Sequence, residues 1–256
     1  MLFADSVFVG VDVASDHKAF TYAALDRELN LLALAHADAG DVVAFLAGQN
    51  SVTVAVNAPS QVNHGIIKKD SSKQSLTPRQ SQGFDMRVAE YELRARGIAV
   101  HKTEAKESLC PAWVKAGFGL YKKLSKQGFK PYPEFDESHR WLETNPHACF
   151  CVLLERVPLP ARTLEGRLQR GLILHERGLH ISDPMIFFEE ITRHRLLNGQ
   201  LPMELVHKPA QLDALAAAYT AWLATEKPAD AMHVGYKQEG FITLPVNALK
   251  EKYYSG

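Results

Sequence analysis

The distribution of apolar and polar positions divides the chain into a succession of short elements. Val7 to Ser15 (VFVGVDVAS) is a near-continuous apolar run, the pattern of a strand buried on both faces, and it is broken by one carboxylate, Asp12. After a polar turn at Ser15-Asp16-His17, Lys18 to Leu25 and Leu29 to Ala37 read as two further strands. Their close spacing predicts an antiparallel meander of three. A short helix starts at Asp38 or Gly40 and stops at Gly48. Ser51 to Val56 (SVTVAV) is a second β-branched run, ending in Asn57-Ala58-Pro59-Ser60. A strand following a helix completes a β-α-β crossover and lies parallel to an earlier strand. Beside the first strand, it brings Asn57 near Asp12 at the carboxyl edge of the sheet, where open α/β sheets place ligands.

The remaining elements follow from weaker patterns. Residues 60–77 are polar and carry Lys68, Lys69 and Lys73, as a solvated loop or as a basic lid over the site. Thr77-Pro78 opens a helix to about Arg96, closed by Gly97. On it Arg87, Glu90 and Arg94 share a side, the spacing of surface ion pairs. Ile98 to Val100 reads as a short strand, Pro111 to Gln127 as a helix weakened by Gly117 and Gly119, and Lys130 to Glu134 as an extended linker. A strand from His139 then ends near a second carboxylate, Glu143, ahead of a helix that begins at Pro146. Glu143 can serve there as a helix cap or as a ligand. Thr163 opens a basic helix with Arg167, Arg170 and Arg177 and an apolar side of Leu168, Leu172, Ile173 and Leu174. Asp183-Pro184 begins another helix, to about Leu197. In Ala210 to Thr225, Leu212, Leu215, Tyr219, Trp222 and Leu223 repeat at helical period, and Asp213 lies on a flank of small residues. There it either complements the helix dipole or sits in a crevice. Ala231 to Tyr236 and Phe241 to Pro245 form a terminal hairpin.

Composition narrows the function classes. The 256 residues carry 29 Lys+Arg and 29 Asp+Glu, so overall charge draws the chain to neither nucleic acid nor membrane, and any such binding needs a local patch. Cys110, Cys149 and Cys151 are too few for a disulfide framework and read as core thiols. No basic leader and no apolar run of membrane-spanning length is present, which fits a soluble, cytoplasmic protein without membrane contact. No Gly-x-Ser-x-Gly elbow supports a serine hydrolase.

A three-strand meander, a helix and a parallel strand open the RNase H-like fold, an α/β class with a mixed sheet flanked by helices. Acids from separate elements converge there on one or two Mg²⁺ or Mn²⁺ ions. Asp12, Glu143 and Asp213 are the candidates. Over nearly its whole length the sequence also resembles the predicted-nuclease family of that superfamily catalogued as domain of unknown function 429. The similarity is carried by GVDVAS (10–15), AVNAPS (55–60), RVAEYELRARGI (87–98), LETNPHACFCVLL (142–154), LEGRLQRGLIL (164–174), LDALAAAYTAWLA (212–224) and EGFITLP (239–245). The resemblance implies one domain over 1–256 with insertions at about 60–80 and 103–138. It places Asp12, Glu143 and Asp213 on the family's metal-binding and catalytic positions, with Asn57 as a further ligand. Arg87, Glu90, Arg94, Glu165 and Arg167 match its other polar positions. The family usually has aspartate where this chain has Asn57, which can ligate through its carbonyl oxygen but removes one negative charge.

Three functional expectations follow. The first is a Mg²⁺- or Mn²⁺-dependent nuclease or phosphodiesterase acting on DNA or RNA, with Lys68, Lys69, Lys73, Arg87, Arg94, Arg167 and Arg170 near the phosphates. The second is a binding or regulatory protein on the same scaffold with weakened catalysis. The third is a nucleotide-binding protein of the actin and sugar-kinase group, which lacks the expected duplication and phosphate loops here. The oligomeric state stays open, a homo-oligomer included.

Overall fold

A computed structural model describes residues 6–13, 19–67, 85–134 and 137–255. Strands β1 (Val7–Asp12), β2 (Ala19–Leu25) and β3 (Leu31–Asp38) form the meander, each antiparallel to the next. Helix α1 (Ala39–Ala47) is capped by the Asp38 carboxylate, which accepts from the backbone N–H groups of Gly40 and Asp41. Strand β4 (Val52–Asn57) returns parallel to β1, and Asp12 lies opposite Asn57 in register. The expected opening is therefore present.

Later strands extend the sheet on the β4 side. They are β5 (Lys130–Pro131), β6 (His139–Thr144), β7 (Met232–Tyr236) and β8 (Gly240–Leu244). The eight strands run β3-β2-β1-β4-β6-β8-β7, with β5 paired to β6 off that path. Only β7, the last strand in that order, and the meander strand β2 run against their neighbours; β4, β6 and β8 are parallel to β1. The sheet is mixed and flanked by helices on both faces.

Side-chain alternation along β1 assigns the two faces. Val7, Val9 and Val11 pack with Val42, Val43 and Leu46 of α1 and with Leu120, Tyr121 and Leu124 of α3 (Ala112–Lys126). Phe8 instead packs with Leu212, Ala214, Ala218 and their neighbours on α8 (Pro209–Glu226), and with α4 (Pro146–Leu154). Helix α8 crosses β1 at Gly10, where an added Cβ would lie 2.0 Å from the Ala214 carbonyl oxygen and 2.2 Å from the Ala218 nitrogen. A side chain there would push the helix off the strand. Gly117 does the same on the other face, where α3 meets Ala58.

Several sequence expectations change. Helix α8 is buried nearly all round, not along one stripe, because Ala214, Ala216, Ala217, Ala218, Ala221 and Ala224 let it approach other backbone on every side. The helix expected from Thr77 is described only from Arg87 onward, as α2 (Val88–Ala95), and Asp85 to Arg87 precede it without helical structure. Ile98 and Val100 are buried and Ala99 is exposed, but the three form no strand. The buried face of α5 (Leu164–Glu176) is Gly166, Arg170, Gly171 and Leu174, not a leucine row. The helix expected over 183–197 is two short ones, α6 (Ile186–Glu189) and α7 (Arg193–Leu197), with the Thr192 hydroxyl capping the second. All three cysteines are buried and free, as core thiols. No helix among the described residues is long and apolar enough to cross a membrane.

Candidate metal and polar site

Asp12 closes β1 and Asn57 closes β4, side by side in a parallel pair. The Asn57 amide donates to one Asp12 carboxylate oxygen at 2.7 Å. By alternation both point to the α8 face, the same side as Phe8 and Gly10. Asp213 stands one turn into α8, just before the Ala214 carbonyl that rests on Gly10. Because Gly10 allows strand and helix backbones to touch, Asp213 comes near enough for the Asp12 charge to act on it. Burial raises the Asp12 pKa against the lowering effect of the Asn57 bond. Burial, and then the Asp12 charge, push Asp213 up to about 7, with Arg170 pulling the other way. The site is thus a pair of partly desolvated, mutually repelling acids.

That pair has a pH signature. A carboxyl group whose folded pKa lies above its ordinary 3.8 favours the fold while protonated. The Asp213 contribution is complete below about pH 4 and is lost as pH rises to about 7. Asp213→Asn should therefore stabilise the metal-free protein by roughly 2–4 kcal/mol at pH 8 and by nothing at pH 4. Urea denaturation at the two pH values measures this, and equal stabilities at pH 8 would refute the repulsion.

Glu143 belongs to a different cluster. It is opposite Val56, not Asn57, in the β4–β6 register, and that one-residue offset turns it to the α3 face beside Trp141 and Tyr121. The Arg87 guanidinium grips both its oxygens through Nη1 and Nη2, and the Ser60 backbone N–H donates to it at 2.7 Å. Arg87 also donates through Nε to Glu90 at 2.7 Å and through Nη1 to the Glu239 carbonyl at 2.9 Å. Glu90 accepts further from the Thr103 N–H and hydroxyl. Arg87 and Glu90 are 1 % exposed and Glu143 3 %. Of the three residues read as surface ion pairs, Arg87 and Glu90 therefore belong to a deeply buried ionic network, and only Arg94 is exposed. Burial opposes the Arg87 charge, but Glu143 and Glu90 more than reverse this and hold it charged. Helix α4 is capped by the Asn145 side chain, which leaves Glu143 free of that role.

A further acid, Glu239, was invisible to pattern reading because it sits in the turn of the terminal hairpin. It is fully buried, and its carboxylate accepts from the backbone N–H groups of His64 and Val88. The cleft between the two clusters is lined by Asn57, Arg87, Glu143, His101, Trp113 and Asn145, and its cavity of about 20 Å³ has room for about one water.

The three expected ligands therefore fall into two groups, Asp12 with Asp213 and, separately, Glu143. No three His, Cys, Asp or Glu side chains able to hold a metal gather among the described residues. The arginines expected along a phosphate groove are committed to the fold. Arg94 donates to the Val100 carbonyl, Arg167 to the His207 and Val206 carbonyls, and buried Arg170 to the Leu159 and Gly166 carbonyls. Lys68, Lys69 and Lys73 lie outside the described residues. A family model described as "Protein of unknown function (DUF429)" matches residues 10–234. No curated protein matches the chain.

Proposed function

The chain belongs to the DUF429 family, and from that premise we propose a divalent-metal-dependent nuclease or phosphodiesterase of RNase H-like architecture. The meander followed by parallel β4 and β6, with α8 laid over β1, supports that architecture. One observation carries the activity: Asp12 at the end of β1 and Asp213 on the helix packed over β1 are both buried and each held above its ordinary pKa, Asp213 in part by the Asp12 charge. A divalent cation between them would remove the repulsion that burial amplifies.

The donor set fits one hard cation. Asp12 and Asp213 offer carboxylate oxygens, and the Asn57 amide, turned about its last torsion, offers a carbonyl oxygen. Glu143 is neutralised by Arg87, so the residues favour one ion of Mg²⁺ or Mn²⁺ over two. When bound, such an ion supplies Lewis-acid polarisation of a phosphoryl oxygen and an acidified water. The chain's own residues do the rest: β1 fixes Asp12, Asn57 orients it, and α8 brings Asp213 to meet it. Nucleic-acid phosphates fall in this reading to Lys68, Lys69 and Lys73, in the segment whose described flanks Glu239 holds at His64 and Val88. The Arg87–Glu143 pairing and Asn57 in place of an acid favour a second reading, a nucleic-acid binder on this fold without catalysis.

Titration calorimetry with Mn²⁺ separates the two. The wild type should bind one equivalent and, at pH 6, release close to one proton as Asp213 ionises. Asp12→Asn and Asp213→Asn should abolish binding, and Asn57→Asp should tighten it at least tenfold. Cleavage of single-stranded, duplex and branched DNA and RNA should follow the same order. Binding without cleavage would select the second reading, and no binding at millimolar Mn²⁺ would end the metal proposal.

A further inference from the structure

A larger cavity lies against α3, on the sheet face opposite Asp213. On that helix Phe118, Tyr121, Lys122, Ser125 and Lys126 follow the i, i+3, i+4, i+7, i+8 spacing of one helical side. They line a volume of about 430 Å³, which Trp141 of β6 and the Ser60 to Val62 segment close from the sheet. Small-molecule sites span roughly 300–1,000 Å³. Floor and rim differ in chemistry. Phe118 and Tyr121 are buried, and the Tyr121 ring meets the Trp141 ring at 4.6 Å. The Tyr121 hydroxyl donates to the Ala58 carbonyl at 3.0 Å, which leaves only its ring for a ligand. The Trp141 indole N–H is the one buried side-chain polar group among the described residues that meets no hydrogen-bond partner. At the rim Lys122 and Lys126 are exposed, and Glu107 pairs with Lys122 at 3.2 Å. Two lysines against one carboxylate leave the lining of the mouth net positive.

These features select the occupant. Aromatic walls accept the face of a planar ring, and every nucleobase has such a face. A buried N–H without an acceptor is costly, and the edge of a heterocycle supplies the acceptor that a hydrocarbon lacks. The lysines add a place for an anion beside that ring. A planar heterocycle joined to one anionic group is a nucleotide, and only an unpaired one can leave its stack to enter a pocket. The position agrees. Ser60 lies three residues beyond Asn57, so the two are at most ~11 Å apart. Ser60 and Trp141 also line a smaller cavity of about 100 Å³ that reaches Glu143. We propose that the pocket between α3 and Trp141 holds one unpaired nucleotide, its base against Tyr121 and Trp141 and its phosphate at Lys126. This binding needs neither metal nor cleavage, so it goes beyond the nuclease reading and stands if that reading fails.

Titration calorimetry in EDTA tests it, with a short DNA single strand, an abasic strand, a duplex and deoxyadenosine monophosphate as probes. The single strand or the monophosphate should bind at least about tenfold more tightly than the duplex and the abasic strand, which offer phosphates without a free base. Tighter binding of the strand assigns the pocket to a nucleotide within a chain, and tighter binding of the monophosphate to a free nucleotide. Trp141→Leu should weaken the preferred probe about tenfold by removing a stacking wall. Ser125→Leu, at an exposed position, should do the same by filling the cavity, with unchanged circular dichroism. Lys126→Gln should lower the salt slope for the strand by roughly 0.7. Equal affinity for all four probes would overturn the proposal. So would affinity that Trp141→Leu and Ser125→Leu both leave unchanged, or no binding of either nucleotide probe at millimolar concentration.

Discussion

Arg87→Met should destabilise the protein by about 3–5 kcal/mol near neutral pH. The substitution keeps most of the volume but strips the only cation among the described residues from a network whose members are almost wholly removed from water. Glu143 and Glu90 would each keep hydrogen bonds from Ser60 and Thr103. Those neutral donors cannot compensate two buried negative charges in one pocket. Arg87→Lys should be intermediate, since a lysine cannot reproduce the fork that grips Glu143 while also meeting Glu90. Adding Glu90→Gln and Glu143→Gln to Arg87→Met should recover at least half of the stability. Guanidinium denaturation is the check. A loss below about 1 kcal/mol would show that water reaches the network.

Gly10→Ala should cost about 3 kcal/mol or more, at or beyond the usual cost of overpacking. Its Cβ would meet main-chain atoms of a helix that is buried all round, and neither the helix nor the strand can yield without uncovering core. The same substitution should weaken Mn²⁺ binding, because Asp213 sits next to the Ala214 carbonyl that would be displaced. Gly119→Ala is the matched control. It is in α3 with nothing within 4 Å of the new Cβ, and should stabilise by about 0.5–1 kcal/mol. Thermal melts of the two variants should move in opposite directions. A neutral Gly10→Ala would mean that α8 does not pack on β1 as described.

The contrast between Asp12 and Glu143 shows what sequence can reach. Asp12 beside Asn57 followed from chain topology alone, because a short crossover fixes both handedness and neighbour, and a central strand ends where its apolar run ends. Glu143 was located correctly at the end of a strand, but its face depends on register, and one residue of offset against β4 reverses it. Its partner Arg87 is 56 positions away and shares a helical spacing with Glu90 that ordinarily marks solvent. Burial of that spacing is decided by what packs over it, which no local pattern contains. Alanines misled in the same manner on α8. They are weak in any hydrophobic profile, yet their small size is what allows a helix to be enclosed from all sides. The 183–197 stretch was read from its end signals, Asp183-Pro184 and Asn198-Gly199, and those do not show that the helix stops after Glu189 and that Thr192 caps a second one.

The packing of α8 on β1 also has a consequence for synthesis. By the time Asn57 has left the ribosome, the first four strands and α1 have all been made. The sheet face carrying Phe8, Ala23, Leu25 and Ala55 is covered largely by α8, with α4 beside it. Pro209, the first residue of α8, is translated about 150 residues later, which at ~5–20 residues per second is a delay of roughly 8–30 s. For much of that interval the nascent chain presents an incompletely covered apolar sheet to solvent, long enough for holding chaperones to bind and for neighbouring nascent chains to pair. Expression yield should accordingly respond to chaperone supply and growth temperature more than to the stability of the finished protein.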